Sequence, residues 1–263
     1  MLELQHINIT FRKGLIGRGS KPVLEDVSLS ISKGELVSII GFSGSGKTTL
    51  ARIAVRSINP DRGKIILDGQ DISKLGFKDM SKYRSRLQMV FQHPEGALNP
   101  EMTLGDSLRE AVRKAGYSGK AFEEKLDSIC LELEIKKELL NRYPMQVSGG
   151  EIQRVALARA LTFDPDYIFM DEPTSMLDAS VQAQILKVII SRKERMGMGI
   201  VLVTHDLDIV RSVSDRVIAI DKGRIVAEGT AEEVFSSQIP YIKDYVDSWN
   251  ELESINRTIG LDD

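Results

Sequence analysis

Residues 36–55 read Leu-Val-Ser-Ile-Ile-Gly-Phe-Ser-Gly-Ser-Gly-Lys-Thr-Thr-Leu-Ala-Arg-Ile-Ala-Val, and this stretch decides the fold. Its first five residues are an apolar run that stops at Gly41, as a buried strand entering a loop does. Gly41, Phe42, Ser43, Gly44, Ser45, Gly46, Lys47 and Thr48 then match the eight-residue P-loop pattern at every fixed position. Thr49–Val55 behind them is compatible with a helix. Glycines let the backbone curl so that successive N–H groups point at phosphate oxygens, and the helix turns the positive end of its dipole toward the same anion. Lys47 is expected to reach the β- and γ-phosphates of a bound nucleoside triphosphate, and the Thr48 hydroxyl to ligate Mg²⁺. The plain alternative is a glycine-rich structural turn; the strand before it and the helix after it argue otherwise.

Working outward, a second apolar run, Tyr167–Met170, ends in Asp171-Glu172. A parallel strand delivers such residues to its C-terminal edge, where α/β sheets bind ligands. Asp171 is expected to hold Mg²⁺ through water, and Glu172 to polarise an attacking water. Phosphoryl transfer depends mainly on positioning and charge stabilisation, so one placed carboxylate matters greatly. Alone, Asp-Glu-Pro after a strand would read as a solvated turn; beside a P-loop it reads as a site.

Residues 27–31, Val-Ser-Leu-Ser-Ile, alternate as a half-buried antiparallel strand does. Further strands are expected at Ile65–Leu67, closed by Asp68-Gly69, and at Leu87–Phe91 and Ile200–Val203. Val217–Ile220 and Arg224–Ala227 are joined through Asp221-Lys222-Gly223, a hairpin signal. Helical stretches fall near 103–115, 119–133, 149–162, 179–195 and 206–214. Thr230-Ala231-Glu232-Glu233 has capping-box spacing and opens a short C-terminal helix. Strands alternating with helices imply an α/β fold with a mostly parallel sheet and flanking helices. The section from about 93 to 160 holds helices and no good strand, so it reads as a helical insertion.

The 263 residues carry 35 Lys+Arg against 38 Asp+Glu, a net charge of -3, which argues against a nucleic-acid partner. Cys130 is the only cysteine, so an internal disulfide and a Cys-rich metal centre are excluded and a reduced, intracellular setting is expected. The first residues, MLELQHINITF, lack a basic stretch followed by an apolar one, so no secretory leader is expected. No segment approaches the ~20 apolar residues that cross a bilayer, so a membrane role would come through partners.

Ser148-Gly149-Gly150-Glu151 heads an amphipathic helix before Asp171. The P-loop, this Ser-Gly-Gly segment and the acidic strand end, in that order, resemble the ATP-binding-cassette family over residues 1 to about 235. Gln92 resembles the family's Q-loop, Ser175-Met176-Leu177-Asp178 its D-loop and His205 its switch histidine. Phe11 falls where the family carries an adenine-stacking aromatic; a core aromatic is the alternative. The resemblance implies a single nucleotide-binding domain: a RecA-like P-loop NTPase core, an antiparallel β subdomain, a helical subdomain at about 93–160 and a short C-terminal tail at about 236–263. It also implies MgATP hydrolysis between two head-to-tail copies. Ser148, Gly149 and Gly150 would contact the γ-phosphate bound by the partner, and Asp178 would couple the two sites; in the chain's own site His205 would hydrogen-bond the γ-phosphate and Gln92 would sense that phosphate and Mg²⁺. The implied partners are permease subunits in the membrane, a second ATPase subunit of the same or a related chain and, indirectly, a solute-binding protein. The implied place is the cytoplasmic face of the cell membrane.

Three positions depart from the common pattern: Glu151 replaces Gln, Phe11 replaces Tyr and Met176 replaces Ala. Glu151 adds a carboxylate near the dimer seam and is expected to weaken closure slightly. Residues 92–100, Gln-His-Pro-Glu-Gly-Ala-Leu-Asn-Pro, and 179–186 resemble the oligopeptide, dipeptide and nickel importer ATPases. Ile239-Pro240-Tyr241 resembles the Pro-Tyr segment of that branch, and the single cysteine excludes the iron–sulfur site of its longer members. A short nickel- or metallophore-type importer is the leading expectation. Exporter ATPases and soluble cassette proteins are the rivals; the Leu-Asn-Pro segment speaks against the first, and the lack of a tandem cassette or zinc-binding cysteines against the second.

Overall fold

The computed structural model describes residues 1–12, 20–173 and 179–259. In chain order its strands are β1 (Leu2–Arg12), β2 (Ser20–Ile31), β3 (Leu36–Ile40), β4 (Arg62–Leu67), β5 (Gln70–Asp71), β6 (Leu87–Val90), β7 (Tyr167–Asp171), β8 (Gly199–Val203), β9 (Arg216–Asp221) and β10 (Arg224–Gly229). Its helices are α1 (Lys47–Ala54), α2 (Phe77–Arg84), α3 (Leu104–Lys114), α4 (Gly119–Glu132), α5 (Gly149–Leu161), α6 (Ala179–Met196), α7 (Leu207–Val213), α8 (Ala231–Phe235) and α9 (Pro240–Ile259). The chain divides into two compact units: Met1–Lys74 with Val201–Asp263, and Leu75–Ile200. Among the described residues no helix is long and apolar enough to cross a membrane.

The first unit holds an antiparallel sheet in the order β2-β1-β4-β5 and the strand run β10-β9-β3-β8. In that run β3 and β9 are parallel and β9 and β10 antiparallel. Every residue of β3 is buried, as its largely apolar run requires, and the one polar side chain, Ser38, shares a 2.6 Å hydrogen bond with the Ser214 hydroxyl. Strand β1 is an addition to the sequence reading. Its buried residues are Leu2, Leu4, Ile7 and Ile9, so the alternation changes phase at Gln5-His6. There the pairing with β2 shifts register and His6 adopts φ 53°, a bulge that conceals the two-residue period. The β4–β5 turn uses Asp68 and Gly69, and the β9–β10 turn Lys222 and Gly223, all with positive φ, as two-residue hairpin turns demand. Thr230 and Glu233 form the expected capping box ahead of α8.

The expected C-terminal tail is helical over most of its length. Helix α9 spans 20 residues and sets Ile242 and Tyr245 into a buried cluster with Ile40, Leu207, Val210, Val217, Ala219 and Val234. Its inward residues are spaced three and four apart, so one stripe of an otherwise polar helix meets the core.

In the second unit β6 and β7 run parallel, and residues 93–160 form helices and helical turns without a strand. The expected strand 87–91 stops one residue earlier, at Val90, and Tyr167–Met170 extends by one to Asp171. Arg192, 5% exposed, donates to Glu132, to Asp164 at 2.7 Å and to the Leu161 carbonyl at 3.2 Å. Lys125 adds a 2.6 Å ion pair to Asp164 and Arg195 a 2.9 Å pair to Glu132. Burial opposes ionisation of both carboxylates, but these cations outweigh it and hold Glu132 and Asp164 below their ordinary range. A depressed carboxylate contributes stability above its unfolded pKa, about 4, and loses it as pH falls through the folded value. Arg192→Met removes the central cation. Unfolding in urea should therefore show a loss of about 3 kcal/mol at neutral pH that shrinks as pH falls through the folded values of the two carboxylates, where the wild type loses the same contribution.

Candidate functional site

The first unit builds a loop suited to phosphate from β3, α1 and the ends of β9 and α9. Gly41 takes φ 145°, and a Cβ there would lie 2.3 Å from the Ile220 carbonyl and 2.9 Å from the Tyr241 hydroxyl. Gly46 takes φ 112° under Leu24, whose side chain would be 2.7 Å from an added Cβ. Only glycine fits at these two points. The Ser45 amide donates to the Phe42 carbonyl at 3.2 Å, and the hairpin residue Gly223 donates to the Ser45 carbonyl at 2.9 Å, closing the loop on itself.

Lys47 is the first residue of α1 and is buried at 8% exposure. Its ammonium donates to the Gly41 carbonyl at 2.6 Å and to the Phe42 carbonyl at 3.1 Å, so the charge is held over the loop by the loop's own oxygens. Among the described residues the Ser45 hydroxyl is buried without a hydrogen-bond partner, which is costly unless a ligand completes it. Phe42, Ser43 and Gly44 are exposed, and Thr48 and Thr49 are half-buried in the first turn of α1. A held cation, an orphaned buried hydroxyl and a helix start converge on one concave loop, which suits a polyphosphate.

His205 is exposed just beyond β8, ahead of α7, whose N-cap Asp206 accepts from the Asp208 and Ile209 amides at 3.0 and 2.9 Å. The indole of Trp249 on α9 lies 6.3 Å from the His205 ring, centroid to centroid. Phe11 is on β1 opposite Lys21 and is 44% exposed.

The second unit carries the acidic group. Asp171 ends β7 and is 2% exposed; Glu172 follows with φ 47°, a left-handed conformation rare for a non-glycine residue. Strain of this kind costs of order 1–3 kcal/mol and collects at functional sites. The Gln92 side-chain amide donates to the Glu172 carboxylate at 2.7 Å, joining two residues 80 positions apart. Within this unit Asp171 offers a hard oxygen donor of the kind Mg²⁺ takes and Gln92 a carbonyl oxygen; the first unit by itself offers the Thr48 hydroxyl. Among the described residues no group of three or more His, Cys, Asp or Glu could hold a metal.

Ser148 is the N-cap of α5 and Glu151 its reciprocal partner. The Glu151 carboxylate accepts from the Ser148 amide at 2.8 Å and from its hydroxyl at 2.9 Å. The carboxylate expected to weaken closure is therefore engaged in its own helix cap, which disperses its charge onto two donors. Ser148 and Gly149 are exposed and Gly150 half-buried at the positive end of α5. Asp178, with Ser175, Met176 and Leu177, lies outside the described residues.

These features define the class: an α/β nucleotide-binding protein of the P-loop kind, with mixed parallel and antiparallel sheets and flanking helices. The family model described as ABC transporter matches residues 24–175. A Brucella ovis protein named as a peptide import ATP-binding protein is 39% identical over 223 residues, covering 84% of this chain and 70% of that protein. The oligopeptide transport ATP-binding protein OppF of Streptococcus mutans is 36% identical over 244 residues, 92% of this chain and 79% of its own. An ATP-binding cassette solved as a dimer in a post-hydrolysis state with ADP and Pi superposes with a TM-score of 0.80 at 30% identity, covering 88% of this chain and 99% of that one. The chain belongs to the ABC transporter family and is an ATP-binding, ATP-hydrolysing subunit of that family.

Proposed function

We propose that this subunit powers import of a peptide-type substrate, by closing and opening a head-to-tail pair of cassettes around MgATP on permease partners at the cytoplasmic face of the membrane. The observation that carries the nucleotide role is the loop 41–48, with its buried Lys47 ammonium and orphaned Ser45 hydroxyl. Lys47 and the loop amides would bind the β- and γ-phosphates, with Thr48, Asp171 and Gln92 holding Mg²⁺. Mg²⁺ would neutralise charge developing on the phosphate oxygens. Glu172, held by Gln92, would orient the attacking water, and His205 would hydrogen-bond the γ-phosphate. Ser148, Gly149 and Gly150 would meet the partner's nucleotide and Asp178 would link the sites, while Phe11 would stack on adenine. Exposed N–H groups at the start of α5 favour the most negative part of that ligand. Import of peptides rather than nickel is supported by the names of the relatives. Reconstitution with co-expressed permeases and a solute-binding protein tests the reading: ATP inside vesicles should drive peptide uptake, and export of peptide instead would overturn it.

The segment after Gln92 would carry the signal to the permease, with the helical subdomain of about 93–160 as its platform. His93 and Glu95 are exposed and face one another at 3.3 Å, while Pro94 is buried and Arg159 donates to the Ala97 carbonyl at 2.7 Å. This turn is anchored from beneath and presents its charges outward. Glu95→Arg should therefore leave ATP hydrolysis by the isolated chain unchanged. In the full complex it should impair assembly or uptake, because a reversed interfacial charge costs several kcal/mol. Unchanged uptake would mean that this turn faces water.

A further inference from the structure

Helix α9 is absent from the P-loop pattern, yet it reaches the P-loop at its second residue. The Tyr241 hydroxyl accepts from the Phe42 amide at 2.9 Å and donates to the Ile220 carbonyl at 2.8 Å. The Phe42 ring stands edge-on between two rings of α9, with centroids 5.4 Å from Tyr241 and 5.0 Å from Tyr245. One turn further along, Trp249 lies beside His205. Tyr241, Tyr245 and Trp249 are spaced four residues apart, so a single face of one helix addresses both the phosphate loop and the histidine.

We propose that Tyr241 is a positioning residue for nucleotide binding, its hydroxyl locking Gly41-Phe42 in the curled form that holds Lys47 and presents the loop amides to phosphate. The carbonyls of Gly41 and Phe42 are the two that accept from Lys47, so the residue whose amide Tyr241 fixes also carries an oxygen that seats the lysine. The phenol can bridge the Phe42 amide and the Ile220 carbonyl because a hydroxyl both accepts and donates. Burial, with Asp221 adding to it, pushes its pKa up despite the opposing Phe42 hydrogen bond, so the donor proton is retained at neutral pH. Removing it leaves a backbone N–H and a backbone C=O to find other partners, and the loop loses its preformed shape.

The proposal rests on the 41–48 loop being the nucleotide site, and the test separates the two. Tyr241→Phe keeps the ring and removes only the hydroxyl. Trp249 is the only tryptophan of the chain, and its emission reports whether α9 stays docked. Titration of the purified full chain with ATP should show affinity weakened about three- to tenfold, the range of one net hydrogen bond. The emission maximum should stay at its wild-type value, and the melting temperature should fall by no more than a few degrees, as about 1 kcal/mol does in a domain of this size. In steady-state hydrolysis KM for ATP should rise by a similar factor with kcat little changed. Wild-type affinity in Tyr241→Phe, or a loss seen only together with a shifted emission and a melting temperature lowered further than that, would overturn the positioning role. Lys47→Ala is the control. If it loses ATP while Tyr241→Phe binds normally, the positioning role alone fails; if it also binds normally, the loop is not the site and both readings fall.

Discussion

Replacing Glu172 by Gln is expected to preserve ATP binding and to lower turnover by about 10²- to 10⁴-fold, the range of a positioned acid–base group. The amide keeps the size of the side chain and can still meet Gln92, which now donates to the Glu172 carboxylate at 2.7 Å. What is lost is the negative charge that would orient and polarise water. The left-handed backbone at this residue, φ 47°, tolerates Gln no better than Glu, so local strain is unchanged between the two. Because the γ-phosphate persists, light scattering with ATP should show an accumulated dimer. Hydrolysis at near wild-type rate would remove Glu172 from the chemistry.

The second large effect separates binding within one chain from closure between two. Lys47→Ala deletes the buried ammonium above the loop, and monomer affinity for ATP should fall by about 10²-fold or more, since a charge-assisted hydrogen bond contributes about 1.5–3 kcal/mol and the lysine would make one to each of the β- and γ-phosphates. Ser148→Arg should leave monomer affinity intact and abolish ATP-dependent dimerisation. The residue is exposed at the start of α5, where a long cation would occupy the space a partner's phosphate needs. The lost cap to Glu151 costs about 1 kcal/mol, too little to unfold the domain. Calorimetry on the two variants decides the arrangement: equal loss of monomer affinity would sink the reading that Ser148 acts on the partner's nucleotide.

The elements that were legible in the sequence are those whose signal is contiguous. Leu36–Ile40 is apolar at four of its five positions and forms β3 with the expected ends. Thr230 and Glu233 sit at capping-box spacing and form one. The missed elements had broken or diluted signals. Strand β1 hides its alternation behind the bulge at His6. Helix α2 buries only Met80, so its pattern is almost wholly polar. Helix α9 carried a usable signal in Tyr241, Tyr245 and Trp249, but a four-residue spacing of aromatics gains meaning only against a surface to pack on.

The strand, the glycine loop 41–46 and the helix that Lys47 begins were readable from the sequence, because they lie within twenty consecutive residues and act through local backbone geometry. The sequence also determined that a carboxylate pair ends a buried strand, since Tyr167–Asp171 is apolar up to its last residue. Only the tertiary structure decided what holds those groups. The Phe42 amide is bound by a hydroxyl 199 positions away, and Glu172 by an amide 80 positions away. Such pairs have no periodicity to reveal them: a hydrogen bond of about 3 Å between distant residues is set by how helices and strands pack, and packing is a property of the whole chain.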